Sequence, residues 1–306
     1  MKKLLIITSS IDYTVDYIIE KYSNYAEIYR LNVDMLNNYN INVGIKPNIS
    51  IICDMWNLNY SDIDAIYYRK PMLPNLNDYC LEYRQMIGKD IIALINGIVD
   101  SFRKRVLTKP YILRYSENKI FQLIKAQEIG FDIPKSLISN DLNMAQSFLH
   151  ENKIIKPLTT GKIMKDDMVE IFQTNLIDYI EDDIGVTPIY LQDYCKKLFE
   201  VRVTIVDKEV FSVKIDAFDK IDWRKNQEKN KHSIITIPKE IEDKCFILMD
   251  ELNIKFGAFD FIVDNNEKYI FLEVNPNGQW LWLEEITGLK ISNSIIKYLI
   301  EGEDIY

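Results

Sequence analysis

Phe256-Gly-Ala-Phe-Asp-Phe-Ile-Val263 and Lys268-Tyr-Ile-Phe-Leu-Glu-Val274 are apolar, β-branched and aromatic runs, joined by Asp264-Asn265-Asn266-Glu267. Two such runs around an Asp/Asn-rich turn predict an antiparallel hairpin. Pairing through that turn sets Asp260 opposite Phe271. Because side chains alternate, Asp260 and Glu273 then share a face as diagonal neighbours, roughly 7–8 Å apart at the backbone. Asn275, two residues past Glu273, points the same way. Two carboxylates and an amide oxygen thus converge on one face of otherwise apolar strands. Like charges so placed need a cation to offset their repulsion and desolvation. An all-oxygen set suits Mg²⁺, which keeps waters and takes further ligands from nucleotide phosphates. The alternative is that Asp260 and Glu273 are unrelated edge residues paired with surface lysines.

Outward from the hairpin, the pattern is mixed. A chain of 306 residues implies two or three lobes, because single cores rarely grow past about 250–300 residues. The first third reads as α/β. Strands are predicted at Leu4–Thr8, Ala26–Arg30, Ile49–Asp54 and Ala65–Tyr68, and helices at Asp12–Tyr22 and Tyr83–Asp100. A basic loop from Arg103-Lys104-Arg105 to Lys109-Pro110 marks the first boundary, giving an N-terminal lobe over 1–109. The spacing next predicts a helix over Ser116–Ile129, with Ser116 as N-cap and Gly130 as its stop. Strands at Ser136–Ser139, Lys153–Lys156 and Ile189–Asp193 and a short helix through Met144–Leu149 fill a central lobe, 110–193. The last lobe, 194–306, holds strands Val201–Val206 and Glu209–Ile215, a polar and basic loop Lys220–His232, the hairpin, and helices Lys239–Leu252 and Ser292–Ile300.

Composition excludes several classes of function. Asp and Glu number 46 against 37 Lys and Arg, a net charge of −9, without the basic footprint of a nucleic-acid binder. The four cysteines are scattered and form no C-x-x-C pair, so neither a sulfur-based metal site nor a disulfide framework is readable. Two histidines far apart in sequence argue against a histidine-driven hydrolase. The apolar run after Met1-Lys2-Lys3 stops at Thr8, too short for a signal peptide. No stretch approaches a membrane span, and a cytoplasmic protein is expected.

Glu273-Val274-Asn275-Pro276-Asn277-Gly278 resembles the Glu-x-Asn magnesium motif on the last strand of the ATP-grasp superfamily, and the likeness continues upstream in order. Asn118-Lys119 is similar to the segment with the first nucleotide lysine, and Ile154-Ile155-Lys156-Pro157 to that with the second. Gln192-Asp193-Tyr194 stands where the family's hinge presents backbone to adenine, and Glu200 where the ribose hydroxyls are held. Arg202 and Asp222-Trp223-Arg224 have counterparts in the peptide-ligating branch. Tyr68-Arg69-Lys70-Pro71 and the run from Phe271 to Trp280 resemble the microviridin-type maturases, the graspetide macrocyclases. The loop after Lys156 departs from the pattern in holding a single glycine, Gly161, and Lys70 stands where an arginine is commoner.

The resemblance implies an ATP-grasp fold, ATP and Mg²⁺ as cofactors, and a leader-guided homodimer acting on a ribosomal precursor peptide with an acidic core. Such enzymes phosphorylate Asp or Glu side chains and join them to Ser/Thr hydroxyls or a Lys amine. Asp260, Glu273 and Asn275 would hold Mg²⁺, and Lys119 and Lys156 would offset phosphate charge. Arg202 would clamp the γ-phosphate or acyl phosphate, and Arg224 would orient the incoming carboxylate.

Each role has a plainer rival. Lys119 can be a solvated helix lysine, and Lys156 a strand end before a proline. Arg202 can be a structural partner of Glu200 or Asp216, and Gln279, Trp280 and Trp282 core or interface residues. The stretch Lys220–Lys231 is either a solvated loop or a contact for an acidic peptide. No general base is readable, Asp222 being a guess. The competing functions are a ligase acting on an amino acid, small molecule or protein terminus, and a nucleotide-binding regulatory module without turnover.

Overall fold

The computed structural model describes residues 1–44, 48–159, 162–165, 168–171, 174–180, 184–219, 221 and 227–301. In the first third, β1 (Lys2–Thr8), α1 (Tyr13–Tyr22), β2 (Ala26–Asn32), β3 (Asn40–Gly44), β4 (Asn48–Ile52), β5 (Asn57–Asn59), β6 (Ala65–Tyr68), α2 (Leu81–Asp100) and β7 (Arg105–Leu107) follow in order. Strands β2-β1-β6-β7 form a parallel sheet, and β3-β4-β5 a small antiparallel one. Leu4, Leu5, Ile6 and Ile7 are all fully buried, as a parallel strand covered on both faces requires. Leu4 and Ile6 join a core with α1, while Leu5 and Ile7 pack with Ile95 and Val99 of α2. The basic loop expected from Arg103 instead contains β7, the edge of this sheet. Arg105 is buried there and donates to the Leu299 carbonyl at 3.0 Å. Its charge hides a strand pattern that burial in a tertiary contact makes possible.

The middle of the chain runs through α3 (Pro110–Ser116), α4 (Lys119–Ile129), β8 (Ser136–Ser139), α5 (Leu142–Phe148), β9 (Lys153–Lys156), β10 (Lys162–Lys165), β11 (Met168–Ile171), β12 (Asn175–Ile177) and β13 (Ile189–Asp193). Ser116 ends α3 rather than capping α4. The cap is Asn118, whose side chain accepts from Phe121 N at 3.1 Å, and Gly130 closes the helix with φ +90°. Strands β12-β9-β13-β8 pair antiparallel. Leu191, Leu137 and Ile155 turn one face of this sheet towards Ala145 of α5.

The last third comprises β14 (Phe199–Val206), β15 (Glu209–Asp216), β16 (Lys231–Ile234), α6 (Lys239–Glu251), β17 (Phe256–Val263), β18 (Tyr269–Asn275), α7 (Leu281–Thr287) and α8 (Ile291–Glu301). The strands form one antiparallel sheet in the order β16-β15-β14-β17-β18. Odd-numbered positions of β14 and β17 (Val201, Val203, Ile205, Phe259, Phe261) pack on α4 and α6. The even-numbered face changes character along its length. At the Val206, Phe256 and Ala258 end it is apolar and shares a core with Trp280, α8 and the N-terminal parallel sheet. At the other end it carries Glu200, Arg202 and Asp260.

Candidate active site

The hairpin forms, but its register differs from the simple count. Val263 pairs with Tyr269, because the turn is one residue longer than expected, with Asp264 N donating to Lys268 O at 3.1 Å and Glu267 at φ +60°. A second one-residue shift between Asp260 and Phe261 leaves Leu272 unpaired and sets Asp260 directly opposite Glu273. A single slip would have sent Glu273 to the other face; two shifts restore it. The carboxylates are therefore direct cross-strand neighbours, closer than the diagonal placement expected, and Asn275 follows opposite Ala258.

Each carboxylate meets a cation from another element. Arg202, the partner of Asp260 across β14 and β17, donates through Nη1 to Asp260 Oδ1 and Oδ2 at 2.8 and 2.7 Å. Neither Glu200 nor Asp216 is the partner that a purely local reading offered. Lys119 Nζ lies 3.4 Å from Glu273 Oε2 and donates to Pro157 O at 3.0 Å. It thereby joins the first turn of α4, the end of β9 and the last strand. Lys156 donates to Gln192 Oε1 at 2.7 Å, and the buried Gln192 amide donates to Ser136 Oγ and Tyr190 Oη at 3.0 and 2.9 Å. Burial chiefly, and also the Glu273 charge, pushes the Tyr190 hydroxyl up to about 12. This places the central sheet's inner face within electrostatic reach of the hairpin.

Glu200 is buried and accepts from Lys197 Nζ. In the hinge, Asp193 N donates to Lys135 O at 2.9 Å and Tyr194 N to Asn152 O at 3.1 Å. Those two amides, expected to face adenine, are thus bonded to carbonyls of the chain itself. Asp193 itself pairs with Lys153 at 2.8 Å. Trp280 is fully buried and Trp282 partly so, its ring 5.5 Å from His232. Asp222, Trp223, Arg224 and Gly161 lie outside the described residues, as do Lys220 and residues 225 and 226 of the stretch Lys220–Lys231. The described end of that stretch is not loop: Lys231 and His232 begin β16, paired with Asp216 and Ile215.

Sequence reasoning missed Gln122. Its buried side chain donates to Ser116 O and Val274 O at 2.6 and 2.8 Å and accepts from Val274 N at 3.1 Å. It acts as a surrogate strand neighbour on the open edge of β18, beside Glu273. The signal was present: a polar residue three positions after Lys119, on the helix stripe that also carries Ala126.

The donor set fits a hard divalent cation. Among the described residues no cluster of three or more His, Cys, Asp or Glu side chains could hold a metal. The protein offers two carboxylates and an amide oxygen, leaving the rest of a shell to water and phosphate, as Mg²⁺ prefers. Two surface hollows of about 280 and 490 Å³ lie elsewhere and contain neither carboxylate.

The description RimK-like ATP-grasp domain matches residues 116–299. The chain belongs to the RimK-like ATP-grasp family. Across nearly its whole length it is similar to a RiPP-associated ATP-grasp ligase from Chryseobacterium gregarium, solved in complex with ADP and a leader and core peptide. The identity is 27% and the TM-score 0.91, over 99% of this chain and 98% of that one. The macrocyclase MdnC from Microcystis aeruginosa, bound with precursor peptide MdnA, aligns at 23% identity and TM-score 0.89 over 98% and 100%. D-alanyl-alanine synthetase A from Vibrio cholerae aligns at 10% and 0.62 over 97% and 96%. The last two likenesses concern fold alone. No curated protein matches the sequence. No helix among the described residues is long and apolar enough to cross a membrane.

Proposed function

We propose that this RimK-like ATP-grasp protein is a graspetide macrocyclase. It activates Asp or Glu side chains of a ribosomal precursor peptide with ATP and couples them to Ser/Thr hydroxyls or a Lys amine, closing lactone or lactam rings. The observation that carries the reading is the likeness over 99% of the chain to a ligase holding ADP with leader and core peptide. The convergence of Asp260, Glu273, Arg202 and Lys119 supports it.

A carboxylate is a poor electrophile, so one of its oxygens first attacks the γ-phosphorus and ADP departs. The hydroxyl or amine then attacks the acyl carbon, loses its proton, and phosphate leaves with the carboxyl oxygen. Positioning and electrostatic stabilisation dominate such transfer. In this reading Lys119 and Lys156 offset phosphate charge from two sides, and Gln192 holds the Lys156 ammonium in place. Arg202 presents its guanidinium edge to the transferring group, and Arg224 orients the peptide carboxylate. Glu200, steadied by Lys197, holds the ribose, and the segment from Gln192 through Asp193 and Tyr194 borders the base. Asp260, Glu273 and Asn275 would hold Mg²⁺, which when bound neutralises charge on the phosphates.

The test is mass spectrometry of a candidate precursor peptide incubated with the protein, ATP and Mg²⁺, beside a Glu273→Gln control. Loss of one water per ring, absent in the control, is the expected outcome. An unchanged peptide, with ATP consumed when free amino acids are supplied, would move the assignment to a small-molecule ligase.

A further inference from the structure

Arg69, at the C-terminal end of β6, is fully buried. A buried guanidinium is tolerated where its charge and donors are matched. Here Asp12 Oδ2, 3.2 Å from Nε, balances the charge without hydrogen-bonding Nε. Thr14 Oγ1 accepts from Nη2 at 3.0 Å and Tyr67 Oη from Nη1 at 3.4 Å, and the Trp280 ring lies 5.9 Å away. The shortest contact reaches outside the N-terminal third: Nη2 donates to Gln279 Oε1 at 2.5 Å. The main-chain oxygen of the same Gln279 accepts from Arg202 Nη2 at 3.3 Å. One residue thus links two buried guanidinium groups, with its side chain on one and its carbonyl on the other.

The second of these groups is the one aimed at the phosphates. Arg202 Nη1 is committed to both Asp260 oxygens, which fixes one edge of the planar guanidinium. The Gln279 carbonyl fixes a second edge, so the plane's orientation depends on where the segment after Asn275 lies. That segment is tightly seated, since a Cβ at Gly278 would sit 2.7 Å from Ala258 Cβ and 3.1 Å from Arg202 Nη2.

We propose that Arg69 and Gln279 are positioning residues for phosphoryl transfer: Arg69 holds the Gln279 side chain, and the Gln279 carbonyl sets the aim of Arg202. The proposal rests on the reading of Arg202 given above. Through this link the N-terminal lobe acts on turnover without touching nucleotide. Loss of the link tilts the Arg202 plane, which slows the chemical step while leaving the lysines that carry phosphate charge in place. A merely structural contact would instead lower stability and leave turnover per folded molecule unchanged.

The experiment uses the full chain with Gln279→Leu, Gln279→Glu and Arg202→Lys, measuring ADP release with precursor peptide, ADP affinity and thermal melting. Gln279→Leu should lower kcat by about 10–100-fold, the scale of a misplaced positioning group, with KM for ATP and ADP affinity nearly unchanged. Gln279→Glu should recover most of the rate, because its carboxylate still accepts from Arg69. If the leucine variant does not fold, Gln279→Asn, which withdraws the amide by one methylene, gives the same readout. Wild-type kcat in Gln279→Leu, or Gln279→Glu as slow as Gln279→Leu, would overturn the link. Should Arg202→Lys be impaired while Gln279→Leu is not, the link alone falls. Wild-type kcat in Arg202→Lys removes the role of Arg202 and the link with it.

Discussion

Replacing Gly278 by alanine would place a methyl carbon 2.7 Å from Ala258 Cβ, 3.1 Å from Arg202 Nη2 and 3.4 Å from Asn275 Cβ. Carbon atoms rest at about 3.5–4.0 Å, so a gap of roughly 1 Å has to be opened. Ala258 cannot retreat: it is fully buried in β17, paired with Thr204 on one side and Asn275 on the other. The loop from Asn275 to Gln279 must lift instead, which stretches the 3.3 Å bond from Arg202 to the Gln279 carbonyl. Overpacking of this kind costs about 1–3 kcal/mol, or a fall of about 2–6 °C in Tm for a chain of this size. A 1 Å misplacement near reacting groups can slow turnover by about 100-fold. Thermal melting and ATP turnover with a precursor peptide read both effects. Adding Ala258→Gly removes the 2.7 Å contact, so the double variant should recover part of the loss beyond additivity. A Gly278→Ala protein that melts and turns over like wild type, or a double variant no better than the sum of its parts, would refute the reasoning.

Gln122→Ala orphans the Val274 N–H and C=O on the edge of β18. It should destabilise the chain by about 2–4 kcal/mol, on the scale of unsatisfied buried groups, measured by urea unfolding, and weaken nucleotide affinity through displaced Glu273. Glu284 of α7 accepts from Lys21 Nζ, Tyr17 Oη, Ser292 Oγ and Ser292 N at 2.6–2.7 Å. Burial opposes its ionisation, but those hydrogen bonds outweigh it and hold the carboxyl below its ordinary value of 4.5. Its stabilisation is therefore present above that ordinary value and lost as pH falls through the lowered one. Glu284→Gln should cost about 2–3 kcal/mol at neutral pH, less than a fully buried pair because Lys21 is partly exposed. The difference from wild type should shrink on acidification below pH 4.5; a gap independent of pH would show that packing, not charge, is what Glu284 supplies.

The two apolar, β-branched runs and the Asp/Asn-rich turn were enough to place Asp260, Glu273 and Asn275 on one hairpin. Strict alternation would have kept Phe271 beside Glu273, whereas the bulge at Leu272 turns Phe271 into the core with Phe261. The order of Lys119, Lys156, Glu200, Arg202 and the Glu273-x-Asn275 segment identified the family, because each stands in or at the end of an element that local pattern also marks. Caps were less legible: Ser116 and Asn118 are both good N-cap residues, and the choice between them depends on where α3 packs. Register was not legible either. The longer turn and the bulge at Leu272 each move the pairing by one residue, and neither leaves a mark in composition. Partners were the least legible. Arg202 meets Asp260 58 residues away, and Arg69 meets Gln279 210 residues away. A charged side chain in a sequence looks the same whether it is solvated or buried against a distant opposite. The sequence by itself determined the family and the candidate side chains, because the motifs that carry both are local. Only the tertiary structure decided which cation answers each carboxylate, because that choice is made by burial and by contact between elements far apart in the sequence rather than by neighbours in the chain.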